Sequence, residues 1–410
     1  MISGAKRGKN ERKGLHSWHP YYAGYSESFV KSVLHVEKLE CGSTVLDPWI
    51  GSGTTGIVCQ KLGINCIGID INPVMSYFAA AKSKSIITEL QFDCREYLNK
   101  ILDAFTHYSK YENSDISLFQ QSKKYYDIIC GIFSNEKDVE YINAIKAFFC
   151  SVLFVTIRKN FTIKTGSNPT WISKKSVSKS VQLDFVIEYK NNYEKMIHEL
   201  KDNYSDNYGM SSYKVFNADS KKLPISNSSV DLIITSPPYL TRIDYAVSTR
   251  IELEVISGID GYDLVRKQTM GTTTVPSIQD DISPLWGDIC LDVLSRVSKH
   301  YSIASNSYYL KNKIRYFHDA YESLLEIYRV LSNGKSAYLV IQNSYYKEIE
   351  IPLYSIYCEM AKGIGFSKQE IVYEENVKVI LGQINSRSSI YIKDKKYFEK
   401  VIKVTKWTTM

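Results

Sequence analysis

The segment Thr44-Val45-Leu46-Asp47-Pro48-Trp49-Ile50-Gly51-Ser52-Gly53-Thr54-Thr55 sets the topology that we predict for this chain. It opens with apolar and β-branched residues, which predict a buried strand, and a helical pattern to about Leu62 follows the glycine-rich turn. Glycines let the backbone approach a ligand closely, and free N–H groups at a helix start favour negatively charged groups. A strand, a glycine turn and a helix in this order indicate a ligand-binding loop, although many ordinary turns also contain a single G-x-G.

The next predicted strand, Cys66-Ile67-Gly68-Ile69-Asp70, ends in an acid about twenty residues after the glycine turn. In a doubly wound α/β fold, a carboxylate at this position binds the hydroxyls of a ribose. The position therefore favours a nucleoside ligand. The spacing is equally compatible with a dinucleotide and with an adenosyl sulfonium.

A second polar tip, Ser236-Pro237-Pro238-Tyr239, follows the apolar run Val230-Asp231-Leu232-Ile233. Each proline fixes its own backbone, holds the preceding residue extended and lacks an N–H group, so the tip is rich in acceptors. Such an edge suits the two N–H donors of a nucleobase amine, and Tyr239 could stack on the face of the base. Taken alone, a Pro-Pro turn leaving a strand is the more common meaning of this pattern.

Polar residues therefore follow four predicted strands, at Asp47 to Thr55, Asp70, Asp219 and Ser236 to Tyr239. Strands that alternate with helices and carry polar residues at their carboxyl ends define an α/β doubly wound, mostly parallel sheet. Alternating segments near the C-terminus, within 371–380 and 389–407, predict an antiparallel edge. The four polar segments are expected to lie along one edge of the sheet.

Composition narrows the class of protein. The 410 residues carry a net charge of +7, a mild surplus that matters only where it is concentrated. The eight cysteines are scattered without a C-x-x-C pair, so we expect reduced thiols and no metal site. The longest apolar stretch, Ala144 to Ile157, is short and contains Lys146, and the N-terminus resembles no secretory signal. We expect a cytoplasmic protein without a membrane span.

Three regions lie outside the alternating pattern. Residues 1–15 form a basic arm, for which a solvated tail and a phosphate-contacting arm are equally good interpretations. Residues 83–212 are predicted to be an inserted helical, basic subdomain. The mainly polar region 241–313 is a candidate target-recognition region. The insertion has no acidic residue from Thr156 to Gln182.

Cations and an aromatic side chain are interleaved in that acid-free stretch, which favours nucleic-acid contact over a merely solvated basic face. Further cations occur in the polar region 241–313. The residues predicted to contact nucleic acid are Arg158, Lys159, Lys164, Trp171, Lys174, Lys175, Lys179, Arg242, Arg266 and Lys267.

The chain resembles the class I S-adenosylmethionine-dependent amino-methyltransferases of nucleic-acid bases, the N(4)-cytosine and N(6)-adenine family. Asp47 to Thr55 matches the cofactor loop D-P-F-x-G-S-G-T-T, and Thr235 to Tyr239 matches the catalytic motif [TS]-[DNS]-P-P-[YFW]. The resemblance covers roughly residues 16–80 and 213–405 and leaves the insertion unmatched. It implies a seven-stranded sheet. The cofactor half would be residues 16–82, the catalytic strands 213–240 and the remainder of the domain 314–410.

The resemblance also implies that S-adenosylmethionine is the cofactor. Gly51 to Thr55 would hold its methionine moiety, Asp70 its ribose hydroxyls, Ile71 would pack on its adenine and Asp219 would accept from the adenine amine. Trp49 replaces the usual Phe, and the face of either ring can attract the positively charged sulfonium. The predicted cofactor contacts are Tyr21, Asp47, Pro48, Trp49, Gly51, Gly53, Thr54, Thr55, Asp70, Ile71, Asn72, Asp219 and Ser236. The predicted catalytic residues are Ser236, Pro237, Pro238 and Tyr239.

The implied reaction is methyl transfer to the exocyclic amine of a base flipped out of duplex DNA, in a restriction-modification or defence context in which a restriction endonuclease could be a partner. Serine at position 236 favours N(4) of cytosine over N(6) of adenine, although the cofactor loop precedes the catalytic motif, unlike the commonest order among Ser-Pro-Pro-Tyr cytosine enzymes. The absence of a Pro-Cys dipeptide argues against ring-carbon methylation through a thiolate. The alternatives are an RNA base amino-methyltransferase and a non-catalytic nucleic-acid-binding subunit.

Overall fold

The computed structural model describes residues 1–20, 24–88, 93–110, 117–134, 141–163, 171–172, 177–179, 184–204, 211–240, 244–275, 280–377 and 395–407. The strands are β1 (Thr44–Asp47), β2 (Asn65–Asp70), β3 (Phe161–Ile163), β4 (Val177–Lys179), β5 (Tyr213–Asn217), β6 (Val230–Thr235), β7 (Leu331–Gln342), β8 (Ser344–Tyr346), β9 (Ile349–Ile351), β10 (Lys368–Asn376) and β11 (Phe398–Thr405).

The α-helices are α1 (Glu27–Val36), α2 (Thr54–Lys61), α3 (Pro73–Ala80), α4 (Ser85–Thr88), α5 (Asp93–Lys110), α6 (Leu118–Ile132), α7 (Ala144–Asn160), α8 (Phe185–Asn203), α9 (Tyr245–Ser248), α10 (Arg250–Gln268), α11 (Asp288–Ser298), α12 (Leu310–Val330) and α13 (Leu353–Ile364). Short 3-10 turns occupy Lys9–Glu11, Gly14–Ser17 and Pro284–Trp286, and a π-helical turn spans Ser305–Tyr309.

Seven strands form one sheet in the order β10-β11-β7-β6-β1-β2-β5. The pairs β5–β2, β2–β1, β1–β6 and β6–β7 are parallel, and β11 is antiparallel to both β7 and β10. The predicted doubly wound sheet with an antiparallel edge is confirmed. From β1 the chain continues to β2 and β5 on one side and later to β6 and β7 on the other, so a crevice opens at the carboxyl ends of β1 and β6.

Helices cover both faces of the sheet. On one face, α1 and α2 pack over β1, β6 and β7 through apolar side chains such as Phe29, Val33 and Val58. On the other face, α11, α12 and α13 pack on the sheet through Phe317, Leu324 and others. Because both faces are covered, the central strands β1 and β6 are buried at all but one position each, as expected of parallel sheets.

The helices α4 to α8 lie between β2 and β5 in sequence and pack against α3. Their centre is α7, whose Phe148, Phe149 and Phe154 are fully buried. The segment Tyr125 to Cys130, for which the sequence left a strand and a helix open, lies within α6. In the part of the chain that the structure describes, no helix is long and apolar enough to cross a membrane.

The first residues of the chain are folded against the domain, which corrects the solvated-tail interpretation of this segment. Ala5 accepts a hydrogen bond from the Ser26 backbone N–H at 2.8 Å. Arg7 is 7% exposed, and its guanidinium donates to Thr54 Oγ1 at 2.5 Å and to the Tyr25 carbonyl at 3.2 Å. The N-terminal segment therefore supports the start of α2.

Candidate active site

The carboxylate of Asp47 joins the two predicted motifs. Its Oδ1 accepts hydrogen bonds from Thr235 Oγ1 at 2.6 Å and from the Trp49 N–H at 3.2 Å. Its Oδ2 accepts from Thr55 Oγ1 at 2.7 Å and from the Tyr25 hydroxyl at 2.5 Å. Burial raises the pKa of Asp47 despite these bonds. Asp47 thus fixes the end of β6 to the start of α2.

The carboxylate of Asp70 organises the glycine turn. It accepts the Gly51 N–H at 3.0 Å and the Asn72 N–H at 2.8 Å, and Asn72 in turn caps α3. Gly51 and Gly53 have φ of 49° and 85°, in the left-handed region that favours glycine. Burial raises the pKa of Asp70 to about 7. The remaining lone pairs of the carboxylate are available to a ligand in the crevice.

A cavity of about 850 Å³, including its open mouth, lies along this edge of the sheet. The predicted residues that line it are Pro48, Trp49, Thr54, Asp70, Ile71, Asn72, Asp219, Ser236 and Pro238. The structure thus brings together the ends of β1, β2, β5 and β6. The predicted residues Asp47, Gly51, Gly53, Thr55, Pro237 and Tyr239 are not among its lining residues.

The predicted catalytic tip, Ser236 to Tyr239, is held by neighbours on three elements. Ser236 Oγ donates to the Val340 carbonyl at 3.3 Å, which leaves the oxygen lone pairs of the serine free to accept. The Pro238 carbonyl accepts from the Tyr316 hydroxyl at 2.9 Å. The Tyr239 hydroxyl lies 3.5 Å from Glu399 Oε2 on β11. Within the described residues, no hydrogen bond reaches the Pro237 carbonyl.

Other side chains lining the cavity were not predicted from the sequence. Among them are Tyr25, Ile50, Met75, Ser220, Lys221, Tyr245, Gln268, Thr269, Met270 and Asp319. Tyr25 ends the segment Tyr21 to Tyr25, which weakly resembles the family's upstream cofactor motif, and Tyr245 follows Tyr239 closely, so both carried a weak signal. Asp319 comes from the middle of α12, where no motif marks it.

The structure corrects the predicted role of Arg158. Its guanidinium forms hydrogen bonds with the carboxylate of Glu252, which is fully buried, and donates to the Ser248 carbonyl at 2.6 Å. A buried charge needs such a partner, so this arginine ties α7 to α10. Lys159 is half-exposed and binds Glu188 at 2.5 Å and Asn192 at 2.7 Å. Arg158 is thus part of a structural ion pair, and the role of Lys159 stays a prediction.

Trp171 and Arg266 are brought together although they are distant in sequence. The guanidinium of Arg266 lies 5.6 Å from the centre of the Trp171 ring, which is 42% exposed, and binds Asp244 at 2.9 Å. Lys267 is exposed beside them. The predicted residues Tyr21, Lys164, Lys174, Lys175 and Arg242 lie outside the described residues, as does the side chain of Lys179 in β4.

Family comparisons agree with this geometry. A family model for N6 and N4 methyltransferases, described as DNA methylase, matches residues 8–82, which contain the glycine turn and Asp70. This match and the relatives described below support an amino-methyltransferase of the N4/N6 family. They also support a DNA methyltransferase with S-adenosylmethionine as methyl donor. A second model, described as an RMKL-like methyltransferase domain, matches residues 144–253 and so reaches into the insertion, which the sequence resemblance left unmatched.

Two similar proteins are named Type II methyltransferases. The Type II methyltransferase M.AvaI of Nostoc sp. is 24% identical over 88% of this chain and 81% of its own length. M.BsoBI of Geobacillus stearothermophilus is 28% identical over 61% of this chain and 54% of its own length. Among solved structures, the arsenic(III) S-adenosylmethionine methyltransferase of Chlamydomonas reinhardtii covers 90% of this chain and 64% of its own, with 9% identity and a TM-score of 0.33. The strand order, and not this low score, assigns the fold.

The affinity of this amino-methyltransferase for its cofactor is expected to depend on Asp70 and on pH. A carboxylate accepts ribose hydroxyls, and the pKa of Asp70 is about 7, so its ionised fraction falls as the pH drops below 7. Calorimetric titration with S-adenosylhomocysteine should show a dissociation constant roughly tenfold higher at pH 6 than at pH 8. Asp70→Asn should bind weakly and without this pH dependence. A wild-type affinity that is constant from pH 6 to pH 8 would contradict the assignment.

Proposed function

We propose that the chain transfers the methyl group of S-adenosylmethionine to N(4) of cytosine at a specific sequence in duplex DNA. The observation that carries this proposal is the shared cavity. Ser236 and Pro238 of the catalytic tip and Trp49, Asp70 and the rest of the cofactor edge line one continuous space. A donor and an acceptor bound there would be neighbours, and positioning two reactants supplies much of the rate in such a transfer.

The side chains around the cavity fit the cofactor. Asp70 offers a carboxylate for the ribose, Ile71 an apolar surface for adenine, and Thr54 begins α2, whose first N–H groups favour a carboxylate. The Trp49 ring can face a positively charged sulfur. When bound, S-adenosylmethionine supplies a methyl group on a sulfonium that leaves as a neutral thioether.

The catalytic tip would hold the target amine. The base must leave its stack, because an amine inside a duplex cannot line up with the methyl–sulfur bond. Ser236 Oγ and the Pro237 carbonyl would accept the two amine hydrogens and so favour the pyramidal, nucleophilic nitrogen. Tyr239 would stack on the base. The new N–C bond leaves the nitrogen positively charged and acidic, so it releases its proton to solvent and needs no strong base.

Cytosine is favoured because serine occupies the first position of the Ser236 to Tyr239 motif. N(6) of adenine is the second candidate, since its amine presents the same two hydrogens. The relatives named Type II methyltransferases support a restriction-modification context with an endonuclease partner. We propose residues 241–313 as the target-recognition region, supported by the surface of Trp171, Arg266 and Lys267 at their border with the insertion.

Base-resolution mapping of methylation tests this function. The chain is expressed in a host lacking its gene, and the modified bases of DNA and of bulk RNA are determined. We expect N(4)-methylcytosine at one short sequence in DNA. Detection of N(6)-methyladenine instead would show that adenine, and not cytosine, is the target base. Methyl groups in RNA alone, or in no nucleic acid at all, would overturn it in favour of an RNA enzyme or a non-catalytic subunit.

The basic stretch of the insertion should contribute to DNA binding. Removing the three charges in Lys174→Ala/Lys175→Ala/Lys179→Ala should weaken binding and reduce the slope of log affinity against log salt by roughly 0.9 per lost phosphate contact. Fluorescence anisotropy at several salt concentrations measures both quantities.

A matched control removes three lysines of the same insertion that are exposed and paired with glutamates four residues away. These are Lys100, Lys190 and Lys195. Their replacement by alanine changes the net charge equally and should leave the salt slope within error. An equal change of the salt slope in both triple variants would show that the segment with Lys174, Lys175 and Lys179 is a solvated basic face and makes no specific contact with DNA.

A further inference from the structure

The family resemblance implies that Asp219 receives the cofactor's adenine amine, and the structure places a second acid beside it in the cavity. Asp319, on α12, lines the cavity beside Asp219 and Lys221. It is 3% exposed. Its Oδ1 accepts from Lys221 Nζ at 2.6 Å. Its Oδ2 is buried and has no hydrogen-bond partner in the described part of the chain. A buried acceptor without a donor is costly, and a ligand that donates there removes the cost.

Asp319 lies at the end of the cavity where the adenine of the cofactor is expected to bind. The strands follow one another in the order β5, β2, β1, β6. With the ribose at Asp70 on β2 and the methionine at the loop after β1, adenine lies on the far side of β2, at the end of β5. Lys221 belongs to the segment that leaves β5, and Asp319 is bonded to it. The unpartnered oxygen is therefore at the adenine end of the cavity.

The α12 helix holds Asp319 rigidly at this place. The segment that follows β5 runs along one face of α12, where side chains recur every three to four residues. Ser220 Oγ lies 2.9 Å from Ser323 Oγ, and Glu326 accepts the Leu223 N–H at 2.7 Å. Further along, Arg329 donates to the Ile225 carbonyl at 2.7 Å. These contacts fix the carboxylate of Asp319 relative to the end of β5.

The charge of Asp319 suits an amine. Burial alone would raise its pKa, but the neighbouring His318 and the charges of Lys221 and Arg315 hold the pKa of Asp319 below its ordinary value. The Arg315 Nε lies 3.9 Å from Oδ2, too far for a hydrogen bond. At neutral pH the side chain is thus a carboxylate with one buried oxygen that accepts no hydrogen bond from the described residues.

Asp219 is less suited to this role. Its Oδ1 accepts the Lys221 backbone N–H at 2.9 Å, and its Oδ2 lies 3.6 Å from Lys221 Nζ. Its side chain is 35% exposed, against 5% for that of Asp319. A hydrogen bond discriminates between ligands most strongly where water cannot replace the missing partner.

We propose that Asp319 Oδ2 accepts a hydrogen bond from the exocyclic amine of the cofactor's adenine and thereby sets the selectivity for an adenosyl over an inosyl group, while Asp219 orients Lys221. The inference rests on the cofactor part of the proposed function and is independent of the methylated base. An inosyl group carries a carbonyl in place of the amine, which a carboxylate repels.

Calorimetric titration with S-adenosylhomocysteine and S-inosylhomocysteine tests the inference. The wild type should prefer the adenosyl ligand, and Asp319→Asn should lower the affinity ratio by at least about tenfold, because the asparagine amide can donate to the inosyl carbonyl. Asp219→Asn, the matched control, should keep the ratio within about threefold. Should Asp319→Asn not fold, Asp319→Ala, with Lys221 still beside Asp219, should lower the ratio less but by more than about threefold, because alanine removes the acceptor for the amine and offers no donor to the inosyl carbonyl.

The outcomes separate the possible failures. An unchanged ratio in the Asp319 variants, or a ratio that falls only in Asp219→Asn, overturns the inference. A wild-type protein that binds S-adenosylhomocysteine and methylates no DNA overturns the proposed function and leaves this measurement valid. A raised KM for DNA in Asp319→Asn with an unchanged ligand ratio would place the carboxylate at the target base instead and overturn the proposal.

Discussion

Tyr239→Ala should lower the rate of methyl transfer by roughly a thousand-fold, because stacking on a base accounts for about 10- to 100-fold and its loss also misplaces the amine. S-adenosylhomocysteine should bind as in the wild type, since Tyr239 does not line the cavity. Transfer of labelled methyl to DNA that contains the mapped site, together with calorimetric titration of the cofactor product, measures the two effects.

Tyr239→Phe separates stacking from the contact with Glu399. The phenylalanine ring retains the face of the aromatic and loses the hydroxyl, which lies 3.5 Å from Glu399 Oε2. A long, weak hydrogen bond contributes little, so we expect transfer within about threefold of the wild type. A loss in Tyr239→Phe as large as that in Tyr239→Ala would show that the hydroxyl, and not the ring, carries the function.

Asp47→Ala should destabilise the fold and the active site together. The substitution removes the shared acceptor of Thr235, Thr55, Tyr25 and the Trp49 N–H. Each buried donor left without a partner costs about 1–3 kcal/mol, and some of the hydroxyls can pair with one another, so we expect a loss of about 3 kcal/mol in the free energy of unfolding. Urea unfolding measures this loss, and cofactor affinity should fall with it.

Asp231→Ala is the matched control, because Asp231 joins the same two strands at their other end. Its Oδ2 accepts the Thr44 N–H at 2.9 Å, and its side chain is 34% exposed. Water can replace that partner, so the loss of stability should stay below about 1 kcal/mol and the cofactor affinity should not change. Equal losses in the two variants would mean that Asp47 is an ordinary strand contact.

The strand ends were predictable because each signal is local. A strand, a turn and a helix start within a dozen residues at Asp47 to Thr55, and parallel strands bring their carboxyl ends to one edge. The bond between Asp47 and Thr235 follows from that topology, since β1 and β6 are neighbours. Which of these polar residues face the ligand and which support it from behind was not predictable, because that depends on side-chain direction within the turn.

Contacts between distant segments account for what the sequence did not reveal. Arg158 belongs to a run of cations, yet its partner Glu252 lies 94 residues away on another helix. Arg7 had the composition of a solvated arm and is buried against Thr54. Asp319 sits on an amphipathic helix where a lone acid normally faces solvent. In each case the sequence shows the charged residue but not the distant residue that it contacts.

The insertion between β2 and β5 begins and ends beside the same edge of the sheet. Because Ser212 accepts the Cys66 N–H at 2.8 Å and α3 already completes the crossover, a short linker could rejoin the chain and excise these helices without changing the strand order. The excised protein would aggregate, however. Phe78 on α3 would lose its neighbour Phe154, and the edge strand β5 would lose the Ile142 N–H that now bonds to the Val215 carbonyl. A minimal catalytic domain would need polar replacements on α3 and a blocked edge at β5.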